Sequence, residues 1–235
     1  MVAILVVLTI ILFVLADIVL QWVRMRRDKA TLGVHMRAGN LTDLLVPGLQ
    51  PGRFGLPGGL FFHQGHTWGN LLFSGQVKIG LDDFVQKLLG HIDGIALPPA
   101  GAELKQGQPF AAIRQGGRTA RLVAPVDGVV CAVNSEIAKA PGLIKRDPYT
   151  RGWLVTVRPT NLTANLLHLS IGERAFSWLQ SESARMQELL HVTLGRDKDA
   201  LIGTTAADGG VVAEGLLEHL DDDTWNEFQS KFLGS

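Results

Sequence analysis

Residues 110–130 read FAAIRQGGRTARLVAPVDGVV, and the reading of this stretch decides the fold. FAAI predicts a strand, and Gly116 and Gly117 supply a two-residue hairpin turn, since both accept positive φ at little steric cost. RTARLVAP predicts the returning strand, and DGVVCAV a third, beyond a proline turn. Arg114, Arg118 and Arg121 surround the turn, so the tip is basic and carries no nucleophile. Guanidinium forks suit bidentate contacts with carboxylates or phosphates. The tip therefore reads either as a docking point for an acidic protein surface or lipid headgroups, or as a solvated charged turn. Cys131, the only cysteine, sits in GVVCAV and reads as a buried, inert thiol.

Outward from the hairpin the pattern is of short strands and turns: LLFSG, VKIGL, IDGIAL and, downstream, WLVTV. DDFVQKLLG predicts a short helix that Asp82 or Asp83 can cap, with Phe84, Leu88 and Leu89 on one face. Gly and Pro, at 27 and 10 residues, suit a β-rich body with many turns. Lysine plus arginine and aspartate plus glutamate balance at 22 each, so overall charge gives no argument for nucleic acid. One cysteine excludes an intramolecular disulfide framework. His63 and His66 have metal-ligand spacing but no local carboxylate or cysteine to complete a shell, and structural or surface roles are expected of them.

The motifs keep a recognisable order: HTW at 66–68, LGHIDGIALPPAG at 89–101, APVDGVV at 124–130, then PGLI, DPY and GWL between 141 and 154. This series resembles the glycine cleavage system H proteins, with their His-x-Trp, Leu-Pro-x-x-Gly, Ser-Pro-x-x-Gly, Asp-Pro-Tyr and Gly-Trp-Leu. The resemblance implies a mainly β barrel-sandwich hybrid of lipoyl-domain type across residues 61–168. It also implies a site. In that family the lipoyl lysine stands eight residues before the proline of Ser-Pro-x-x-Gly; counted back from Pro125, that position is Gly117, and no lysine occurs between Lys105 and Lys139. Lipoylation needs a primary amine, which arginine does not supply. The expectation is a non-lipoylated relative with no cofactor and no metal.

Upstream, residues 2–20 read VAILVVLTIILFVLADIVL, about the length a bilayer core requires. Fifteen of the nineteen are Val, Ile, Leu or Phe. At ~0.3–0.6 kcal/mol each, these outweigh the ~3 kcal/mol cost of Asp17. A cleaved signal peptide wants basic residues before the apolar run, but Arg24, Arg26, Arg27 and Lys29 follow it. That order predicts one transmembrane helix within residues 1–27, N-terminus outside and body in the cytoplasm, with Trp22 at the interface. Asp17 either pairs with a partner's helix or reaches water at headgroup level. Residues 28–60, rich in Gly and Pro, read as a connector; GLPGG at 55–59 lacks the Gly-Lys-Ser/Thr of a phosphate loop.

Residues 169–235 read as a helical, acidic extension. SIGE at 170–173 predicts a capping box, followed by a stripe of Phe176, Leu179, Ser183, Met186 and Leu190 running through Leu194. Residues 203–235 hold seven acidic residues and one lysine. They predict a turn at Asp208 and Gly209, then two short helices, the second begun by Asp221, Asp222 and Asp223. Trp225, Phe228 and Phe232 share one face of that helix and are expected exposed, as a docking element, unless the acidic tail folds back on the basic hairpin.

No catalytic set occurs in a credible context, so the chain is expected not to be an enzyme. The reading is an accessory or scaffold subunit held in the inner membrane, whose partners are the bilayer and the integral and peripheral subunits of a larger complex, with respiratory or electron-transfer complexes as an analogy. Two alternatives stand beside it: a regulatory or ligand-binding module, and a lipoate carrier using Lys139.

Overall fold

The computed structural model describes residues 54–196 and 215–234. The apolar run with Asp17, Trp22, Arg24, Arg26 and Arg27, and the turn expected at Asp208 and Gly209, lie outside them. Among the described residues, no helix is long and apolar enough to cross a membrane.

Among the described residues, nine short strands form two antiparallel sheets. They are β1 (Phe61–Phe62), β2 (Thr67–Leu71), β3 (Val77–Leu81), β4 (Gly94–Ala96), β5 (Glu103–Leu104), β6 (Pro109–Gln115), β7 (Arg118–Val123), β8 (Gly128–Val133) and β9 (Trp153–Pro159). The larger sheet runs β1-β2-β3-β9-β8-β5, and the smaller β4-β6-β7. The mainly β expectation holds, and the sequence motifs have physical causes. The Trp68 indole is fully buried and its N–H donates to the Leu81 carbonyl at 3.0 Å, tying β2 to β3. Gly128 closes the proline turn because a Cβ there would collide with the Arg158 carbonyl on β9. That turn is locked further by Asn165, which accepts from Asp127 N–H at 2.9 Å and donates to the Asp127 carboxylate at 3.1 Å.

Helix α1 (Asp83–Leu88) begins where expected: Asp82 is its cap, accepting from Val85 N–H at 3.0 Å. Helices α2 (Ser135–Lys139), α3 (Leu143–Arg146) and α4 (Leu162–Leu166) occupy the connections around β9. Helix α5 (Glu173–Arg196), a 3-10 turn (Leu216–Glu218) and helix α6 (Asp222–Phe232) make up the described part of the extension. Helix α5 starts at Glu173 itself, two residues later than the SIGE box predicts. Ser170 is instead bridged to Phe62, and Gly172 turns the chain at φ +57°. Asp221 does cap α6, accepting from Thr224 N–H at 2.6 Å.

The core crosses the boundary expected at residue 169. One cluster contains Leu81, Phe84 and Leu88 from the body, Ile113, Ala120 and Leu122 from the small sheet, and Leu179, Met186, Leu190, Trp225, Phe228 and Phe232 from the extension. Phe54 and Leu60, at the end of the expected connector, are buried too. A second cluster of Val77, Ile79, Leu104, Val130, Val155 and Val157 fills the large sheet. Full burial of a side chain such as Phe228 removes it from water for roughly 1.5–3 kcal/mol, so the extension is part of the fold's stability. The expectation that Trp225, Phe228 and Phe232 are exposed is corrected here: they are 3%, 0% and 1% exposed.

Candidate functional site

Strand alternation sorts the three arginines of the hairpin. Gln115 pairs with Arg118, Arg114 with Thr119, Ile113 with Ala120 and Ala112 with Arg121. Directly paired residues share a face, and successive residues change face. Ile113 and Ala120 are fully buried, so Gln115 and Arg118 point to the core side. Arg114 and Arg121 point to the solvent side and are exposed. The basic tip expected from sequence is therefore two surfaces. The turn itself forms as expected at Gly116 and Gly117, but only Gly116 takes a positive φ, of +57°.

Arg118 is committed within the chain. Its Nε donates to Asp222 at 2.8 Å, its Nη1 to the Leu217 carbonyl at 3.0 Å and its Nη2 to the Leu220 carbonyl at 2.6 Å. The guanidinium lies 5.5 Å from the centre of the Trp225 ring. These groups sit at the start of α6, and the planar fork of arginine can meet them together where a lysine could not. Asp93 and Glu218 hold the neighbouring backbone: Asp93 accepts from Gly116 N–H at 2.5 Å, and Glu218 accepts from His91 N–H and from the Gln115 amide. A cavity of about 450 Å³ opens here, lined by His91, Asp93, Gln115, Gly116, Arg118 and Glu218. Of the two tail arrangements open in the sequence, folding back onto the hairpin is the one the structure adopts. The correction has two causes: Trp225 packs under the Arg118 guanidinium, and Phe228 and Phe232 pack into the core beside Phe84.

A second junction lies deeper. His66 is fully buried, at φ +59°, stacked on Phe84 with ring centres 4.7 Å apart. Its Nδ1 is 2.7 Å from Asp82, and its Nε2 is 3.6 Å from Glu182 on α5. Burial alone would lower the pKa of this imidazole; the charges of Asp82 and Glu182 and the hydrogen bond to Asp82 override it and raise the value to about 9. Glu182 is itself buried, which would raise its pKa, but His66 and Arg185 hold it below the ordinary range. Arg185 grips Glu182 at 2.6 and 2.8 Å, and its other nitrogen donates to the Lys231 carbonyl of α6 at 2.7 Å. The chain Asp82–His66–Glu182–Arg185 thus fastens both extension helices to the body. It alternates in sign, which makes the buried charges tolerable. His63 caps the adjacent turn, accepting from Gly65 N–H at 3.0 Å; burial first, then His66 and His168, lower its pKa to about 4.

Other expectations place simply. Among the described residues no group of three or more His, Cys, Asp or Glu could hold a metal ion. Lys139 is exposed at the end of α2. Cys131 is exposed, contrary to the buried thiol expected. The register of β8 against β9 shifts between Val130 and Ala132, and this bulge turns Cys131 out of the ladder. Sequence reasoning missed the Glu182–Arg185 half of the His66 junction. Its only local signal was a charged pair spaced i, i+3 on the predicted helix.

The profile of the glycine cleavage H-protein family matches residues 60–181, just over half of the chain. The chain belongs to that family. Similar H proteins include the probable glycine cleavage system H protein of Pyrococcus abyssi, 32% identical over 133 residues, covering 57% of this chain and 98% of the relative. The glycine cleavage system H protein of Opitutus terrae is 36% identical over 106 residues, covering 45% and 84%. A crystal structure of an H protein from Mycobacterium marinum aligns with 54% of this chain and 98% of its own at 25% identity, with a TM-score of 0.45. The 3-10 turn and α6, which hold Arg118 in this H-protein domain, lie beyond the residues the profile matches.

Proposed function

We propose that the chain is a non-catalytic, membrane-anchored accessory subunit that uses the H-protein body as a scaffold and does not carry lipoate. The observation that carries the reading is the hairpin tip. It presents Gly116 and Gly117, has no lysine between Lys105 and Lys139, and is fastened through Arg118 to the chain's own tail. A swinging arm needs an acylated amine on a turn free to present it, and this tip supports neither. The N-terminal apolar run followed by basic residues supports a single span with the body in the cytoplasm. Arg114 and Arg121 remain as exposed cations for an acidic face on a companion subunit. Purification from native membranes in mild detergent, with companions identified by mass spectrometry, tests the reading. Membrane subunits in fixed ratio are expected; recovery of the chain alone contradicts it.

The cavity of about 450 Å³ beside the tip supports a second reading, a ligand-binding regulatory module. That reading predicts dose-dependent thermal stabilisation by a small molecule, abolished by filling the cavity with Gly117→Trp.

A further inference from the structure

One buried polar atom beside the hairpin tip has no partner among the described residues. Gln115 is 4% exposed, and its Oε1 accepts no hydrogen bond. Its Nε2 donates to Glu218 at 3.2 Å, which fixes the amide, since the end that meets a carboxylate is the nitrogen. Gln115 and Glu218 both line the cavity of about 450 Å³, so the amide that joins them stands at its wall. Buried carbonyl oxygens are nearly always given a donor, and a missing one asks for an explanation.

Two carboxylates flank this acceptor. Asp93 takes the Gly116 N–H with Oδ2, one residue along from Gln115, while its Oδ1 faces only His91 Nε2, at 3.7 Å. Glu218 takes the Gln115 amide and the His91 N–H through Oε1 alone. Among the described residues, neither carboxylate pairs with a lysine or arginine. Arg118, the guanidinium in the lining, is held by Asp222 and two carbonyls, and Arg114 lies over Gly94 on the solvent face. The wall therefore offers acceptors and negative charge, and what it lacks is a cation with N–H donors. A primary ammonium is compact and carries three such donors. Hydrogen bonds from it to carboxylates are charge-assisted, whereas an anion would meet two like charges. The volume lies within the roughly 300–1,000 Å³ of small-molecule sites. A Cβ built at Gly116 or Gly117 would meet nothing within 4 Å, so the glycine turn leaves the approach clear. Glu218 lies beyond the residues matched by the family profile, so the extension completes this cavity.

Resting on the ligand-binding reading above, we infer that the cavity is a site for a primary ammonium group, held by Gln115 Oε1 and the carboxylates of Asp93 and Glu218.

The test uses the full chain in mild detergent, with isotopically labelled glycine so that the Gly116 amide resonance reports on the Asp93 contact. The probes are butanediamine, butanediol and succinate, which share a four-carbon chain, and lysine capped at both ends. The expected result is a saturable shift of the Gly116 resonance and a rise in unfolding temperature with the two amines, and neither with the diol nor the diacid. Asp93→Asn and Glu218→Gln keep the shape and remove the charge, and each should weaken amine binding roughly ten-fold or more. Gly117→Trp should abolish it, with near-ultraviolet dichroism checking the fold of every variant. Tighter binding of capped lysine assigns the ammonium to a partner protein's side chain, and tighter binding of the diamine assigns it to a free amine; both support the site. Butanediol or succinate shifting Gly116 in place of the amines, and losing that effect in Gly117→Trp, overturns the ammonium assignment and leaves the ligand-binding reading standing. Amine binding that is unchanged in Asp93→Asn and Glu218→Gln also overturns it. No response of Gly116 to any probe overturns the assignment and removes support from the ligand-binding reading together.

Discussion

His66 shows how much one residue does in this molecule. Its imidazole lies where water does not reach, between a carboxylate of the β body and one of α5, and both carboxylates favour its charged form. Its folded pKa of about 9 lies above the ordinary 6.5, so its contribution to stability is fully present below about pH 6.5 and is lost as pH rises through 9. His63, lowered to about 4, works in the opposite window, and stability falls as pH drops from 6.5 toward 4. The expected outcome is that the unfolding temperature of the purified chain declines between pH 7 and 9.5. His66→Gln should be less stable at pH 7 and nearly flat across that window; an unchanged slope in the variant would assign the decline to other groups. Arg118 is tested by substitution. Arg118→Ala should cost roughly 2 kcal/mol, because two charged hydrogen bonds to carbonyls are lost. Asp222→Ala should cost under about 1 kcal/mol, since that carboxylate is largely solvated. Equal losses would mean that the ion pair, and not the carbonyl contacts, holds the tail. Cys131 should react with a thiol reagent at full stoichiometry in the folded chain, as its exposure requires.

At the scale of elements, local features were legible in the sequence and directional ones were not. The Asp82 and Asp221 caps, the two-glycine turn and the strands expected at VKIGL, FAAI, RTARLVAP and WLVTV depend on neighbours a few residues away, and they form as the spacing predicts. LLFSG, expected as a strand, is instead the turn between β2 and β3, and the SIGE box does not cap α5. The facing of Arg118 follows from counting two residues at a time from Ile113, yet an arginine at a hairpin end reads naturally as solvated. The tail aromatics form an amphipathic stripe whichever way they face. Only their contact with Phe84, distant in sequence, decides the matter. Cys131 was misread because a bulge breaks the alternation that the run GVVCAV suggests. Helix α6 is therefore a core element, and Phe228→Ala should cost about 3–5 kcal/mol. Phe176→Ala, at a 44% exposed position of α5, should cost far less. Thermal denaturation of the two variants side by side separates them; similar losses would contradict the burial of α6.

For the whole molecule, the H-protein body and its extension share one hydrophobic core, and the β6–β7 hairpin is joined to the extension through Arg118. The central proposal is that this hairpin serves as a structural contact and not as a carrier site. Its most direct test is the intact mass of the full chain, produced with lipoate and an active lipoate ligase beside a lipoylatable H protein as positive control. The account predicts the unmodified mass for this chain while the control gains one lipoyl group. A stoichiometric lipoyl increment on this chain, at Lys139 or any other lysine, would contradict it.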